Sequence, residues 1–186
     1  MPQITLPKTA TDDFANLVRA YQAAEIEFPQ LKAITYAQWA LESGWGTSSL
    51  AFKFKNYGGA KWRTYMAPWA TPVKYVAHDG MTQYCLFPTH EAWIAGYWGR
   101  LDKESMYAGW RGHTTTGRDF INFIGPIWLG MGKDKGAEYV RKVTRIHDDW
   151  QFADVFNPEH DNADAKVIFV DWDGLHRLFP DASHGV

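Results

Sequence analysis

The sequence predicts an α+β fold that is mainly helical, with one small β-hairpin lobe set into the helical body. Apolar residues recur at helical spacing in most segments of the chain. One stretch differs, because "VKYVAHDGMTQYCLF" holds two β-type runs separated by Asp79-Gly80, a pair typical of a hairpin turn. With 186 residues the chain can bury a substantial core. Its single cysteine, Cys85, excludes an intrachain disulfide framework.

The first third of the chain predicts three helices in succession. They are expected over residues 12–25, 31–43 and 48–54. Thr11 or Asp12 is suited to cap the first helix, and Gly44 is a natural terminator for the second. Thr47 or Ser48 can cap the short third helix.

The chain changes character after Asn56, where a loop-like stretch precedes the predicted hairpin. We expect the β lobe over about residues 56–88. Helical spacing then returns in "HEAWIAGYWGRL", capped by Thr89, and again in "RDFINFI" and "GAEYVRKVTRIHDDW". Beyond Asp154, the run "KVIFVDW" predicts a strand and "GLHRLF" a closing helix. We therefore interpret residues 1–154 as the main domain and 155–186 as a C-terminal appendage.

Charge and motif content argue against several classes of function. The net charge of -2 encodes no overall attraction to nucleic acid, and no apolar stretch is long enough to insert into a membrane. The sequence lacks the spacing of a phosphate loop, a zinc or calcium site, or a serine hydrolase elbow. We expect no cofactor and no metal. Aromatic residues make up 16% of the chain, more than the core alone needs, and such rings can stack on sugars.

One carboxylate has an unusual setting. The stretch "YAQWALESGWGTSSLAFKFKNYGG" places Glu42 in the last turn of a predicted helix, among aromatic residues. The helix dipole and burial would both raise the pKa of this carboxyl group, which suits a general acid. The alternative is an exposed glutamate at a helix end.

The same region resembles the signature of the family 73 glycoside hydrolases, bacterial and phage endo-β-N-acetylglucosaminidases that cut peptidoglycan. The similarity runs through "AQWALESGWGTSSLA", from Ala37 to Ala51, and resumes at Asn56, Tyr57, Gly58 and Lys61. A weaker resemblance extends over about residues 12–150. It implies a lysozyme-like fold in which Glu42 gives a proton to the glycosidic oxygen.

The second catalytic group of the family has no clear counterpart. The family often carries an acid in the β lobe, in a pattern near T-x-E-Y, and the corresponding residue here is Lys74. A cation cannot act as nucleophile or base in a two-carboxylate mechanism. Asp79 is the nearest substitute, although an Asp before Gly is typical of the turn itself. A mechanism assisted by the 2-acetamido group of the substrate fits better, because it needs only one protein carboxylate.

The resemblance also implies further site residues. Tyr139 is the expected second catalytic residue, with packing of its ring beside Val143 and Ile146 as the alternative. An amide can bind acetamido groups and a ring can stack on a pyranose. The residues expected to bind substrate are Trp45, Asn56, Tyr57, Trp62, Lys74, Tyr84 and Trp128.

The sequence therefore predicts a peptidoglycan hydrolase that acts as a monomer on glycan strands. Muramidase and lytic transglycosylase activities are the alternatives on the same fold. A glycan-binding or phage structural module without catalysis stays open because of Lys74. The chain shows no signal peptide. We therefore expect synthesis in the cytoplasm and action on the cell wall after release, as in a phage endolysin or an effector exported by a dedicated machine.

Overall fold

The computed structural model describes residues 3–77, 80–130, 133–157 and 165–171. The α-helices are α1 (Asp12–Ala23), α2 (Lys32–Ser43), α3 (Ser49–Phe54), α4 (His90–Lys103), α5 (Gly117–Leu129), α6 (Lys133–Asp149) and α7 (Phe152–Val155). The strands are β1 (Gln3–Pro7), β2 (Thr71–Ala77), β3 (Gly80–Leu86) and β4 (Lys166–Val170). Short 3-10 helices cover Pro29–Leu31, Thr64–Met66, Ser105–Tyr107 and Trp110–His113. The predicted mainly helical α+β fold with a β-hairpin is confirmed.

Local capping signals set the helix ends. The Thr11 side chain accepts a hydrogen bond of 3.1 Å from the Phe14 amide at the start of α1. Ser48 and Thr89 cap α3 and α4 in the same way. Gly44 ends α2 in the left-handed conformation, at φ 55°, which glycine adopts without steric strain. Because α2 ends at Ser43, Glu42 lies in the last turn of this helix.

Helix α2 lies at the centre of the molecule, in contact with α1, α5, α6 and α7. Its Trp39 is fully buried, with its ring 4.6 Å from that of Tyr21, 5.4 Å from Trp93 and 5.1 Å from Tyr97. Many of the aromatic residues therefore build the core. None of the helices within the described residues is both long and apolar enough to cross a membrane.

Strands β2 and β3 form an antiparallel hairpin whose pairing runs from Thr71 opposite Leu86 to Ala77 opposite Gly80. The loop before β2 continues along the outer side of β3, where the Trp62 amide donates to the Gln83 carbonyl at 2.9 Å. Asp79, the proposed substitute carboxylate, lies outside the described residues. The hairpin and its flanking loop form the predicted β lobe.

A second sheet joins the two ends of the described chain. Strands β1 and β4 pair in parallel, from Gln3 opposite Lys166 to Pro7 opposite Val170. Ile4 and Leu6 of β1 are fully buried. Strand β1 was not predicted, and β4 corresponds to the predicted strand "KVIFVDW". The described part of the expected appendage therefore packs on the main body, while "GLHRLF" lies outside the described residues.

Candidate active site

Glu42 is partly buried in the last turn of α2, where side chains from three other helices meet it. Burial raises the pKa of Glu42 above its ordinary value. Hydrogen bonds from Tyr139 and Trp128 act in the opposite direction, as does the positive charge of Arg100. The net result is a carboxyl group with a raised pKa that is nevertheless surrounded by groups stabilising its ionised form.

A directional chain of hydrogen bonds supports the Tyr139 hydroxyl. The Tyr97 hydroxyl donates to Gln38 Oε1 at 2.7 Å, and Gln38 Nε2 donates to the Tyr139 oxygen at 3.0 Å. Because the Tyr139 oxygen already accepts from the amide, its own proton is directed to Glu42. Gln38 is fully buried and lies one turn before Glu42 on the same face of α2.

Close packing of α5 against α6 positions Tyr139. A Cβ atom at Gly125 would lie 3.0 Å from Val140 Cγ2 and 3.1 Å from Tyr139 Cδ1. A larger residue at this position would therefore displace the Tyr139 ring. Tyr139 lies on α6 one turn before the buried Val143 and also donates a hydrogen bond to Glu42, and its catalytic role stays a prediction.

Trp128 of α5 is the second hydrogen-bond donor to Glu42. The Arg100 guanidinium carbon lies 4.4 Å from the centroid of the Trp128 ring, within range of a cation–π interaction. A Cβ atom at Gly58 would lie 2.8 Å from Trp128 Cζ2, so the absence of a side chain there lets the loop approach the indole closely. Arg100 is in turn paired with Glu104, at 3.1 Å between Nε and Oε2.

Two predicted substrate-binding residues have their side chains committed to the protein interior. Asn56 is 1% exposed, donates to the carbonyl oxygens of Ala60 and Cys85 at 2.9 and 3.0 Å, and accepts from the Ala60 amide at 2.7 Å. Tyr57 is also 1% exposed, and its hydroxyl donates to Asp13. Their polar atoms therefore already have protein partners, and the role of these residues in binding glycan stays a prediction.

The remaining predicted substrate-binding residues are dispersed. Trp45 packs its ring against Phe14, Trp150 and Phe152, beside the β1–β4 sheet rather than beside Trp128. Tyr84 is 7% exposed, with its ring 5.7 Å from Tyr75 in the hairpin. Trp62 is partly exposed in the loop along β3, and Lys74 is exposed on β2 opposite Gln83. Among the seven, Trp128 donates a hydrogen bond to Glu42.

Sequence reasoning did not identify Gln38 or Arg100 as site residues. A usable signal existed for Gln38, a polar residue between Ile34 and Leu41 on one stripe of α2 and four positions before Glu42. Arg100 carried no such signal, since a basic residue in the last turn of a helix is common for electrostatic reasons. In the part of the chain that the structure describes, His, Cys, Asp and Glu side chains form no cluster able to hold a metal ion.

The site defines a class of protein: a helical domain with a β lobe, carrying a carboxylic acid of raised pKa held by donors that stabilise its conjugate base. A carboxylic acid in such a setting is suited to proton transfer. The sequence matches the glucosaminidase family, described as mannosyl-glycoprotein endo-beta-N-acetylglucosaminidase, over residues 18–151. The chain therefore belongs to this family and is a glycoside hydrolase, which confirms the resemblance to family 73.

Two solved structures share the fold at low sequence identity. The catalytic domain of the autolysin Auto from Listeria monocytogenes aligns over 81% of this chain and 89% of its own, with 14% identity and a TM-score of 0.55. An N-acetylmuramoyl-L-alanine amidase from Staphylococcus aureus aligns over 91% of this chain, with 15% identity and a TM-score of 0.58. The alignment covers 48% of that longer chain. No curated protein matches the sequence.

Proposed function

We propose that the protein is a peptidoglycan hydrolase, an endo-β-N-acetylglucosaminidase that cuts the β-1,4 linkage between N-acetylglucosamine and N-acetylmuramic acid. The observation that carries this proposal is the Glu42 carboxyl group, with its raised pKa and its donors Tyr139 and Trp128, in a chain of the glucosaminidase family. The similarity in fold to an autolysin and to a muramoyl-alanine amidase supports peptidoglycan as the substrate.

In the first step, protonated Glu42 gives its proton to the glycosidic oxygen as the bond from that oxygen to the anomeric carbon breaks. Burial keeps the acid protonated beforehand. Once the proton has left, the carboxylate accepts hydrogen bonds from Tyr139 and Trp128 and is stabilised by the charge of Arg100. These groups therefore favour the charge that develops on Glu42 during the reaction.

The carbonyl oxygen of the substrate's own 2-acetamido group attacks the anomeric carbon as the leaving sugar departs. This gives a cyclic oxazolinium intermediate and requires no second protein carboxylate. Water then opens the intermediate, and the Glu42 carboxylate takes up the proton that the water loses. Lys74 supports this mechanism. It lies on β2 at the position where the family often has an acid, and a lysine cation cannot serve as the nucleophile.

Mass spectrometry of fragments released from purified peptidoglycan tests the activity. The wild type and Glu42→Gln are compared after borohydride reduction, which marks each new reducing end. Reduced N-acetylglucosamine ends that disappear in Glu42→Gln are expected. Reduced muramic ends would indicate a muramidase, and anhydro-muramic ends a lytic transglycosylase. Wall binding without fragments from either protein would indicate a glycan-binding module.

The assisted mechanism has its own test. Peptidoglycan in which the N-acetylglucosamine residues have been deacetylated is expected to resist cleavage, because the attacking carbonyl is gone. Lys74→Met and Asp79→Asn are both expected to retain activity on the acetylated wall. Loss of activity in Asp79→Asn, with normal folding, would instead establish a second protein carboxylate. The route by which the protein reaches the wall stays a prediction from the sequence.

A further inference from the structure

We propose that Arg100 is a positioning residue of this site, which holds Trp128 against Glu42 and ties it to the segment that enters the β lobe. The inference rests on the proposed function, in which Glu42 is the proton donor. Arg100 is not required to touch the glycan, since it acts through Trp128.

The placement of Arg100 on α4 fixes one face of the Trp128 indole. Its guanidinium lies 4.4 Å from the Trp128 ring centroid and 5.7 Å from that of Tyr107, and its side chain is 18% exposed. A planar guanidinium can stack on such rings, whereas a lysine ammonium cannot reproduce the flat contact. The indole therefore has limited freedom to turn away from Glu42.

Glu104 orients the guanidinium. Its Oε2 accepts from Arg100 Nε at 3.1 Å, and its Oε1 accepts from the Tyr65 hydroxyl at 2.5 Å. Tyr65 belongs to the 3-10 helix Thr64–Met66, which precedes β2. One carboxylate thus joins the helix that carries Arg100 to the segment leading into the hairpin.

Arg100 lowers the pKa of Glu42 in two ways, one direct and one through Trp128. Its positive charge favours the ionised carboxylate, and the indole it holds donates a hydrogen bond to that carboxylate. Both effects lower the pKa of Glu42 against the dominant effect of burial. The tyrosines that sense the charge of Glu42 are Tyr97, Tyr107 and Tyr139, and each has its pKa raised by burial, so they stay neutral while Glu42 titrates.

The experiment compares Arg100→Met and Arg100→Lys with Arg111→Met as the matched control. Arg111 also stacks on a tryptophan, 4.8 Å from the Trp110 centroid, and is paired with Glu27 and Asp102 on another face. The pKa of Glu42 is measured by 13C NMR titration of labelled glutamate carboxyl groups, with its signal assigned from Glu42→Gln. This readout does not depend on activity. The pH profile of kcat/KM on peptidoglycan is the second readout.

Arg100→Met is expected to raise the pKa of Glu42, to move the alkaline limb of the profile to higher pH, and to lower kcat/KM by about tenfold to a hundredfold. Arg100→Lys should recover the charge effect only in part. Arg111→Met should change neither readout. If the pKa of Glu42 is unchanged or lower in Arg100→Met, the inference is wrong. If Arg100→Lys has the same pKa of Glu42 and the same kcat/KM as the wild type, Arg100 has no positioning role. If Arg100→Met does not fold, the lysine variant decides alone. A wild type that releases no fragments, with the titration as expected, would refute the proposed function and leave only the effect of Arg100 on the pKa of Glu42.

Discussion

Replacing Tyr139 by phenylalanine removes one oxygen atom and keeps the ring that packs between α5 and α6. Two hydrogen bonds disappear, one from Gln38 Nε2 at 3.0 Å and one to Glu42. Gln38 is fully buried, so its amide is left without this partner at a cost of about 1–3 kcal/mol at any pH. Ionised Glu42 also loses a charge-assisted bond, worth about 1.5–3 kcal/mol.

The second loss is larger when Glu42 is ionised, because a carboxylate accepts the bond more strongly than a neutral carboxyl group, so the destabilisation by Tyr139→Phe should grow with pH. Urea unfolding at acidic and at mildly alkaline pH measures the two values. The lost donor stabilised the carboxylate, so the pKa of Glu42 should rise further in the variant. The alkaline limb of kcat/KM should therefore move to higher pH while its plateau falls, because the conjugate base is less stable.

Tyr36→Phe is the matched control for Tyr139→Phe. Tyr36 is fully buried and donates to the Phe14 carbonyl at 2.9 Å. Its loss should destabilise the fold by a similar pH-independent amount and leave the pH profile in place. If both variants lose the same free energy of unfolding at both pH values, Tyr139 does not donate to an ionised Glu42, and the reasoning fails.

Three further predictions concern stability and loop packing. Burial raises the pKa of Glu42, so the stability linked to its protonated form is lost as pH rises through that pKa. In urea unfolding, Glu42→Gln should therefore have a higher free energy of unfolding than the wild type at alkaline pH and the same value at acidic pH. Gly58→Ala should cost about 1–3 kcal/mol and lower kcat, since its Cβ would lie 2.8 Å from Trp128, whereas Gly112→Ala, with open space around it, should do neither. Asn56→Ala should lower the free energy of unfolding by about 2–4 kcal/mol, because three buried hydrogen bonds are lost. A variant that is stable but inactive would instead indicate the predicted role of Asn56 in glycan binding.

The helices were predictable because their signals are local. A cap such as Thr11 or Thr89 acts on an amide three residues away, and Gly44 acts on the turn that precedes it. Strand β1 was missed for the opposite reason. It is short and ends in Pro7, and its partner β4 lies more than one hundred residues later in the sequence, so no local pattern reveals the pairing.

The candidate site shows the same contrast between features set by local sequence and features set by distant contacts. Glu42 could be proposed from the sequence because its place at a helix end and the motif around it are local properties, and its catalytic role stays a prediction. Asn56 and Tyr57 could be recognised as special, but their protein partners could not be predicted, since a buried amide and an exposed one look alike in a sequence. The role of Gln38 depends on α4 and α6 converging on α2, which brings Tyr97 and Tyr139 to it from 59 and 101 residues away.

This convergence matches what the proposed general-acid role of Glu42 requires. Burial and the unfavourable end of the α2 dipole would by themselves keep Glu42 neutral and make it a poor proton donor. Its immediate neighbours in sequence occupy the same end of the same helix, where the orphan groups are carbonyl oxygens and offer no donors to a carboxylate. The stabilising groups must therefore come from other helices: Arg100 from α4, Trp128 from α5 and Tyr139 from α6. In the proposed mechanism, the tertiary fold, more than the motif around Glu42, lets this residue hold a proton and then release it.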